Sequence, residues 1–169
     1  MKLNLILDGV NLTLKINNYR PSTEDVFADE WCNLSFSLTS NEWLNYRKSE
    51  DTLCASEVER LRDKLSGQIL DEIVEITELV FINSCFKFIL KPKQLDNTDA
   101  IGERLGVYDA HAEWRFIFYD FGPKKNYISV RLEGENINHL INYLNLITEK
   151  IDKTDSTIQD MLEKGIITE

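Results

Sequence analysis

Between Cys32 and Thr39 the chain reads CNLSFSLT, apolar and polar residues in strict alternation. In an extended strand successive side chains point to opposite faces. Cys32, Leu34, Phe36 and Leu38 therefore share one face, and Asn33, Ser35, Ser37 and Thr39 the other. A helix cannot sort them this way, because a 3.6-residue period spreads the apolar side chains around its surface. A strand dry on one side and wet on the other belongs to an antiparallel sheet that covers a core.

The same period recurs at the start of the chain. Leu3, Leu5 and Leu7 alternate, then Leu12, Leu14 and Ile16, and Asp8-Gly9 between them is a tight hairpin turn. After Ser40-Asn41 a returning strand carries Trp43, Leu44 and Tyr46. Ser56 followed by Glu59 reads as a capping box, opening a helix whose face is Val58, Leu61, Leu65 and Ile69, with Gly67 weakening or ending it. Apolar strands follow at 76–82 and 85–91. Residues 92–110 read as a long loop or a short frayed helix. The run AEWRFIFYDF at 112–121 is bulky on both faces and suits a central strand, with Tyr127 to Leu132 as its return after Gly122-Pro123. Ile137, Leu140, Ile141, Leu144, Ile147 and Ile151 predict a second helix over 136–151.

Hairpins broken by two helices define the α+β class. The expectation is an antiparallel sheet of about six to eight strands with two main helices on one face. Residues 1–152 are expected to form a single domain, and 153–169 a short C-terminal helix or a mobile tail.

The side chains include 29 Asp and Glu against 19 Lys and Arg, a formal net charge of -10. Nucleic-acid binders neutralise phosphates with clustered cations, so this balance points away from nucleic acid, and equally from an anionic membrane surface. A basic protein partner fits it. Solubility alone also explains an acidic surface. The acids concentrate in two base-free stretches, Glu24, Asp25, Asp29 and Glu30 in one, Asp71, Glu72, Glu75 and Glu78 in the other. Trp31 and Trp43 stand beside acids at strand ends. They read either as cover for one end of the sheet or as anchors for that partner.

Cys32, Cys54 and Cys85 are odd in number and none forms a Cys-x-x-Cys pair, which suits a reducing compartment. The N-terminal apolar run is short and interrupted by Asp8, unlike a signal peptide, and no apolar stretch has the ~20 residues that span a bilayer. A cytoplasmic location is expected.

The inventory for chemistry is thin. No Gly-rich phosphate loop, dinucleotide fingerprint or nucleophile elbow occurs. Cys54, just before a helix, is the one thiol with an activating position, and no His lies near it in sequence. Asp109, His111 and Glu113 alternate on a strand and so share a face, an arrangement that can hold a divalent metal. The ordinary reading of that face is solvated, with Glu113 and Arg115 as polar neighbours.

From Asp29 to Leu65 the chain reads DEWCNLSFSLTSNEWLNYRKSEDTLCASEVERLRDKL. An Asp-x-Trp-like entry (Asp29 to Trp31) leads into the alternating strand, a return strand from Trp43 to Arg47 and a turn from Thr52 to Ser56. A helix of the form Glu57, Leu61, Leu65 follows. This stretch resembles the WapI immunity proteins of bacteria, and the apolar strands near Phe81 to Leu90 agree. The resemblance implies a cytoplasmic protein that neutralises the toxic C-terminal domain of a secreted polymorphic toxin, often a nuclease and commonly basic. It implies no catalytic residue and no cofactor.

The expected function is therefore non-enzymatic binding, with an acidic surface occluding the active site of a basic toxin domain. The alternatives are a metal-dependent enzyme built on Asp109, His111 and Glu113, or a structural accessory protein of a mobile element. A homodimer is the assembly left open beside the monomer.

Overall fold

The computed structural model of the chain describes residues 1–21, 30–41, 43–83, 85–95, 107–118 and 126–169. The N-terminal hairpin forms as its alternation requires. β1 (Lys2–Leu7) and β2 (Val10–Asn17) pair antiparallel with Leu5 opposite Leu12. Asp8 and Gly9 take φ of +50° and +78°. Two consecutive left-handed residues make the turn whose twist matches the flanking strands, and Asp and Gly tolerate that conformation. The Asp8 carboxylate also accepts the Arg131 N–H, tying the turn to a distant strand.

β3 (Trp31–Ser40) pairs with β2 on one side and β4 (Leu44–Cys54) on the other. Cys32, Leu34, Phe36 and Leu38 are buried, as the alternation predicts. A register shift between Cys32 and Asn33 marks a bulge at the start of this pairing. Trp43 precedes β4 rather than opening it. The first sheet has the order β11-β1-β2-β3-β4, where β11 (Ile167–Thr168) pairs with β1.

α1 (Ala55–Ile69) begins where β4 ends, two residues earlier than the Ser56–Glu59 box predicts. Cys54 is its N-cap, extended at φ -78° and ψ 157°, and Glu57 Oε2 accepts the Cys54 N–H at 3.1 Å. Ser56 lies inside the helix, and Glu59 accepts the Tyr19 hydroxyl at 2.6 Å instead. Gly67 does not end the helix. Its bare α-carbon lets the Glu72 side chain approach, because a Cβ there would lie 3.1 Å from Glu72 Oε2.

The second sheet has the order β10-β9-β6-β5. It comprises β5 (Thr77–Val80), β6 (Phe86–Lys91), β9 (His111–Phe118) and β10 (Asn126–Leu132), and β9 is an inner strand as its bulk predicts. β7 (Gln94–Leu95) and β8 (Val107–Tyr108) make a short ribbon between β6 and β9. The α+β class stands, with the strands divided between two sheets rather than extending one. The physical reason is local pairing: α1 carries the chain away from β4, and β5 then finds its nearest partner in the hairpin it forms with β6.

One apolar core lies between these layers. Phe36 of the first sheet meets Phe116 of the second at 5.0 Å, and Tyr46 meets Phe118 edge-on at 4.5 Å. Trp114 stacks between Phe88 and Phe116 at 4.6 and 4.8 Å. α2 (Gly134–Ile147) packs on α1 and on strands of both sheets, burying Ile137, Leu140, Tyr143 and Leu144. The Tyr143 hydroxyl accepts the Ile16 N–H at 3.0 Å, and burial pushes its pKa up to about 12. Arg62 of α1 donates to Thr148 Oγ1 at the end of α2, 2.8 Å away. The C-terminal segment is anchored here. α3 (Ser156–Glu163) is capped by Asp155 and buries Ile158 and Met161, and Ile167 joins the core through β11. Among the described residues no helix is long and apolar enough to cross a membrane.

Candidate partner-binding surface

The segment that joins α1 to the second sheet is unusual in what it shows to solvent. Ile69, Leu70, Val74, Ile76, Val80 and Ile82 are all exposed, Val74 by 84% and Ile82 by 72%. Asp71, Glu72, Glu75 and Glu78 are exposed among them. Large apolar side chains scattered singly on a surface mean little, whereas several exposed together on one segment make it a candidate interaction site. The acids were visible in the sequence. Their apolar neighbours were not assigned to a surface, because the run at 76–82 reads as a buried strand.

The placement follows from three hydrogen bonds. Past Ile69 the helix closes through Glu72 N–H to Gly67 O at 2.9 Å, with Asp71 in the left-handed region at φ +57°. β5 then runs back alongside α1, where Arg60 donates to Val80 O at 2.5 Å. At the far end Glu57, only 6% exposed, accepts the Ile82 N–H with Oε1 at 2.8 Å while Oε2 holds Cys54. One carboxylate thus fastens the end of the first sheet to the end of β5.

That joint brings a second predicted element near. Ala55 N–H bonds Glu30 O at 3.2 Å, so Glu30 and Trp31 sit beside the N-terminus of α1, the end to which Ile82 is tied. Trp31 is 45% exposed, and the Glu30 carboxylate pairs with Arg20 at 2.8 Å. The acid-and-apolar strip therefore runs from Leu70 along the length of α1, about 22 Å for its 15 residues, and ends near Trp31. Trp43, 69% exposed, lies at the opposite end of the β3–β4 hairpin, ~30 Å from Trp31 by strand rise. The two tryptophans do not cover one end of the sheet. Glu24, Asp25 and Asp29 lie outside the described residues.

Asp109, His111 and Glu113 do not assemble a metal site. Glu113 is committed to Lys91 and to Arg115, whose Nη2 lies 2.7 Å away. The hydrogen bond from Lys91, helped by Arg115, holds its carboxyl below the usual range. His111 Nδ1 faces the Asp109 backbone carbonyl at 3.2 Å, not its carboxylate. Among the described residues no three His, Cys, Asp or Glu side chains stand close enough to share a metal. Cys54 is buried at the N-cap, as Cys32 and Cys85 are buried within the core, and the three form no disulfide.

Fold and surface together define an α+β domain whose distinctive exposed feature is a strip suited to contact with another macromolecule. The sequence pattern of the Immunity protein WapI-like family matches residues 4–152, and the chain belongs to that family. A comparison with curated protein sequences finds no match. The structure of the plant transcriptional regulator PBF-2 is similar at 10% identity and a TM-score of 0.41, over 98% of this chain and 93% of that one. A likeness that distant carries no functional weight.

Proposed function

We propose that this protein is a stoichiometric inhibitor that neutralises a basic toxin domain by covering its active-site cleft with the strip from Leu70 to Ile82. The observation that supports this reading is the interleaving of four exposed acids with large exposed apolar side chains on one segment. Acids steer a cationic partner and reject wrong ones, and desolvated apolar anchors hold it once docked. Family membership supplies the protein partner, and the net charge of -10 supplies its sign. Trp31 is the aromatic anchor of the proposed footprint, and Trp43 lies beyond it.

The test takes as ligand the C-terminal domain of any secreted toxin found in a reading frame adjacent to this one. Titration calorimetry should show one-to-one binding. Ile76→Asp should weaken it roughly a hundredfold, by slowing nothing but raising the dissociation rate. Glu72→Lys with Glu75→Lys should cut the association rate about tenfold at low salt and little at high salt. Toxin binding that survives all three changes intact would remove the strip from the interface.

A further inference from the structure

The outer face of the first sheet has the opposite character. Two rows of paired residues cross it. In one, Lys15 stands opposite Ser35, and Ser35 opposite Ser49; in the other, Asn4, Thr13, Ser37 and Arg47 follow in register. Continuing the Leu3–Leu14 pairing by one residue sets Lys2 against Lys15. Like charges directly opposite each other destabilise a sheet, so this pair costs stability and returns none through its contacts.

Lys2, Lys15, Ser37 and Arg47 line a groove of about 480 Å³ together with Lys48, which pairs with Glu50 at 3.0 Å; no carboxylate is among the described residues of its wall. Among the described residues none of the other four side chains makes an ion pair or a hydrogen bond. Their neighbours are satisfied: Ser35 shares a hydrogen bond with Ser49 at 2.7 Å, and Thr13 donates to Asn4 at 3.1 Å. Ser37 is directly opposite Arg47, and Lys15 is its diagonal neighbour, about 7 Å away along the backbone grid. Lys2 of β1, Lys15 of β2 and Arg47 of β4 therefore border one groove around the Ser37 hydroxyl of β3.

Charge selects the ligand. Three cations with no ion pair among the described residues, set around one hydroxyl, match an anion of charge two or more better than a single carboxylate does. A guanidinium beside ammonium groups is the donor set that phosphoryl oxygens take. Size selects further. The groove falls in the range of small-molecule sites, roughly 300–1,000 Å³. A long polyanion would extend beyond the Debye length of ~8 Å and meet the net negative field of the rest of the chain. We propose that this groove binds a small phosphoryl-bearing ligand, with Arg47, Lys15, Lys2 and the Ser37 hydroxyl donating to its oxygens. The site is independent of the strip at Leu70 to Ile82 and needs no toxin for its test.

The experiment is calorimetric titration of the purified protein with pyrophosphate, with citrate as a carboxylate of similar charge. Saturable one-to-one binding of pyrophosphate is expected, with citrate weaker by about tenfold. Arg47→Ala and Lys15→Ala should each weaken pyrophosphate by at least about tenfold, the value of one charge-assisted hydrogen bond. Lys64→Ala removes the same charge from the exposed surface of α1 and should leave the affinity within about twofold. Circular dichroism confirms that each variant is folded, which the exposure of these groups favours. Absence of saturable binding overturns the proposal. So does citrate binding as tightly as pyrophosphate, or Lys64→Ala costing as much as Arg47→Ala.

Discussion

The outer faces of the two sheets carry similar numbers of cations and treat them differently. On the second sheet Lys87 stands directly opposite Arg115, yet both are answered: Glu78 pairs with Lys87, and Glu113 takes Lys91 and Arg115 together. Arg115 also lies 5.1 Å from the Tyr127 ring. On the first sheet Lys2, Lys15 and Arg47 meet hydroxyls and amides, and Asp51, the nearest acid in register, is held by Asn33 at 3.1 Å. Paired charges across strands hold a sheet together, whereas unpaired ones are left for something else. The difference separates structural charge from charge available to a ligand within one molecule.

The joint between the two sheets gives the largest expected effect. Glu57→Ala strips a buried acceptor from two backbone amides, those of Cys54 and Ile82, and should cost about 3 kcal/mol. Chemical denaturation measures it, and a loss under 1 kcal/mol would mean that the sheets are joined mainly by the aromatic core. Next comes the paired face. Glu113→Ala leaves Lys91 and Arg115 facing one another's charge and should cost about 1 kcal/mol. Its carboxyl titrates below the usual range when folded, so its contribution is present above the unfolded pKa and is lost as pH falls through the folded value. The wild-type protein should therefore weaken on acidification below pH 4.5 more than the variant does.

His139 sharpens the same point at milder pH. Burial is the main cause holding its pKa below normal, outweighing Glu135 at 4.0 Å. The folded state then binds fewer protons than the unfolded one, so stability falls as pH drops below about 6.5. His139→Gln should flatten that slope in thermal melts between pH 7 and 5. The smallest effect belongs to the unpaired face. Arg47→Ala should change stability by less than about 0.5 kcal/mol, and Lys2→Thr should raise it slightly by relieving Lys15. A clear loss for Arg47→Ala would show that it has a structural partner after all.

Much of the fold was legible because its signals are local. The alternation from Cys32 to Thr39, the Asp8-Gly9 turn and the stripe of Ile137, Leu140 and Leu144 each depend only on neighbours in sequence. The start of α1 was misplaced because Cys54 is a poor cap by residue type. It serves only because β4 delivers it extended to the reach of Glu57. The strip was half legible: Asp71, Glu72, Glu75 and Glu78 read as surface, whereas Ile76, Val80 and Ile82 looked like core.

Periodicity alone settled where most strands and helices lie and which face of β1, β2, β3 and α2 is dry, since side-chain direction follows from backbone geometry within a few residues. The sign of the charge and the family pattern were likewise written in the chain. Tertiary structure decided the rest, because it depends on how distant segments dock. Docking divided the strands into two sheets, exposed the apolar side chains of the 69–82 segment and committed Glu113 to cations. It also set Trp31 and Trp43 ~30 Å apart, and on a chain of net charge -10 it gathered Lys2, Lys15 and Arg47 on a face where, among the described residues, no acid pairs with them.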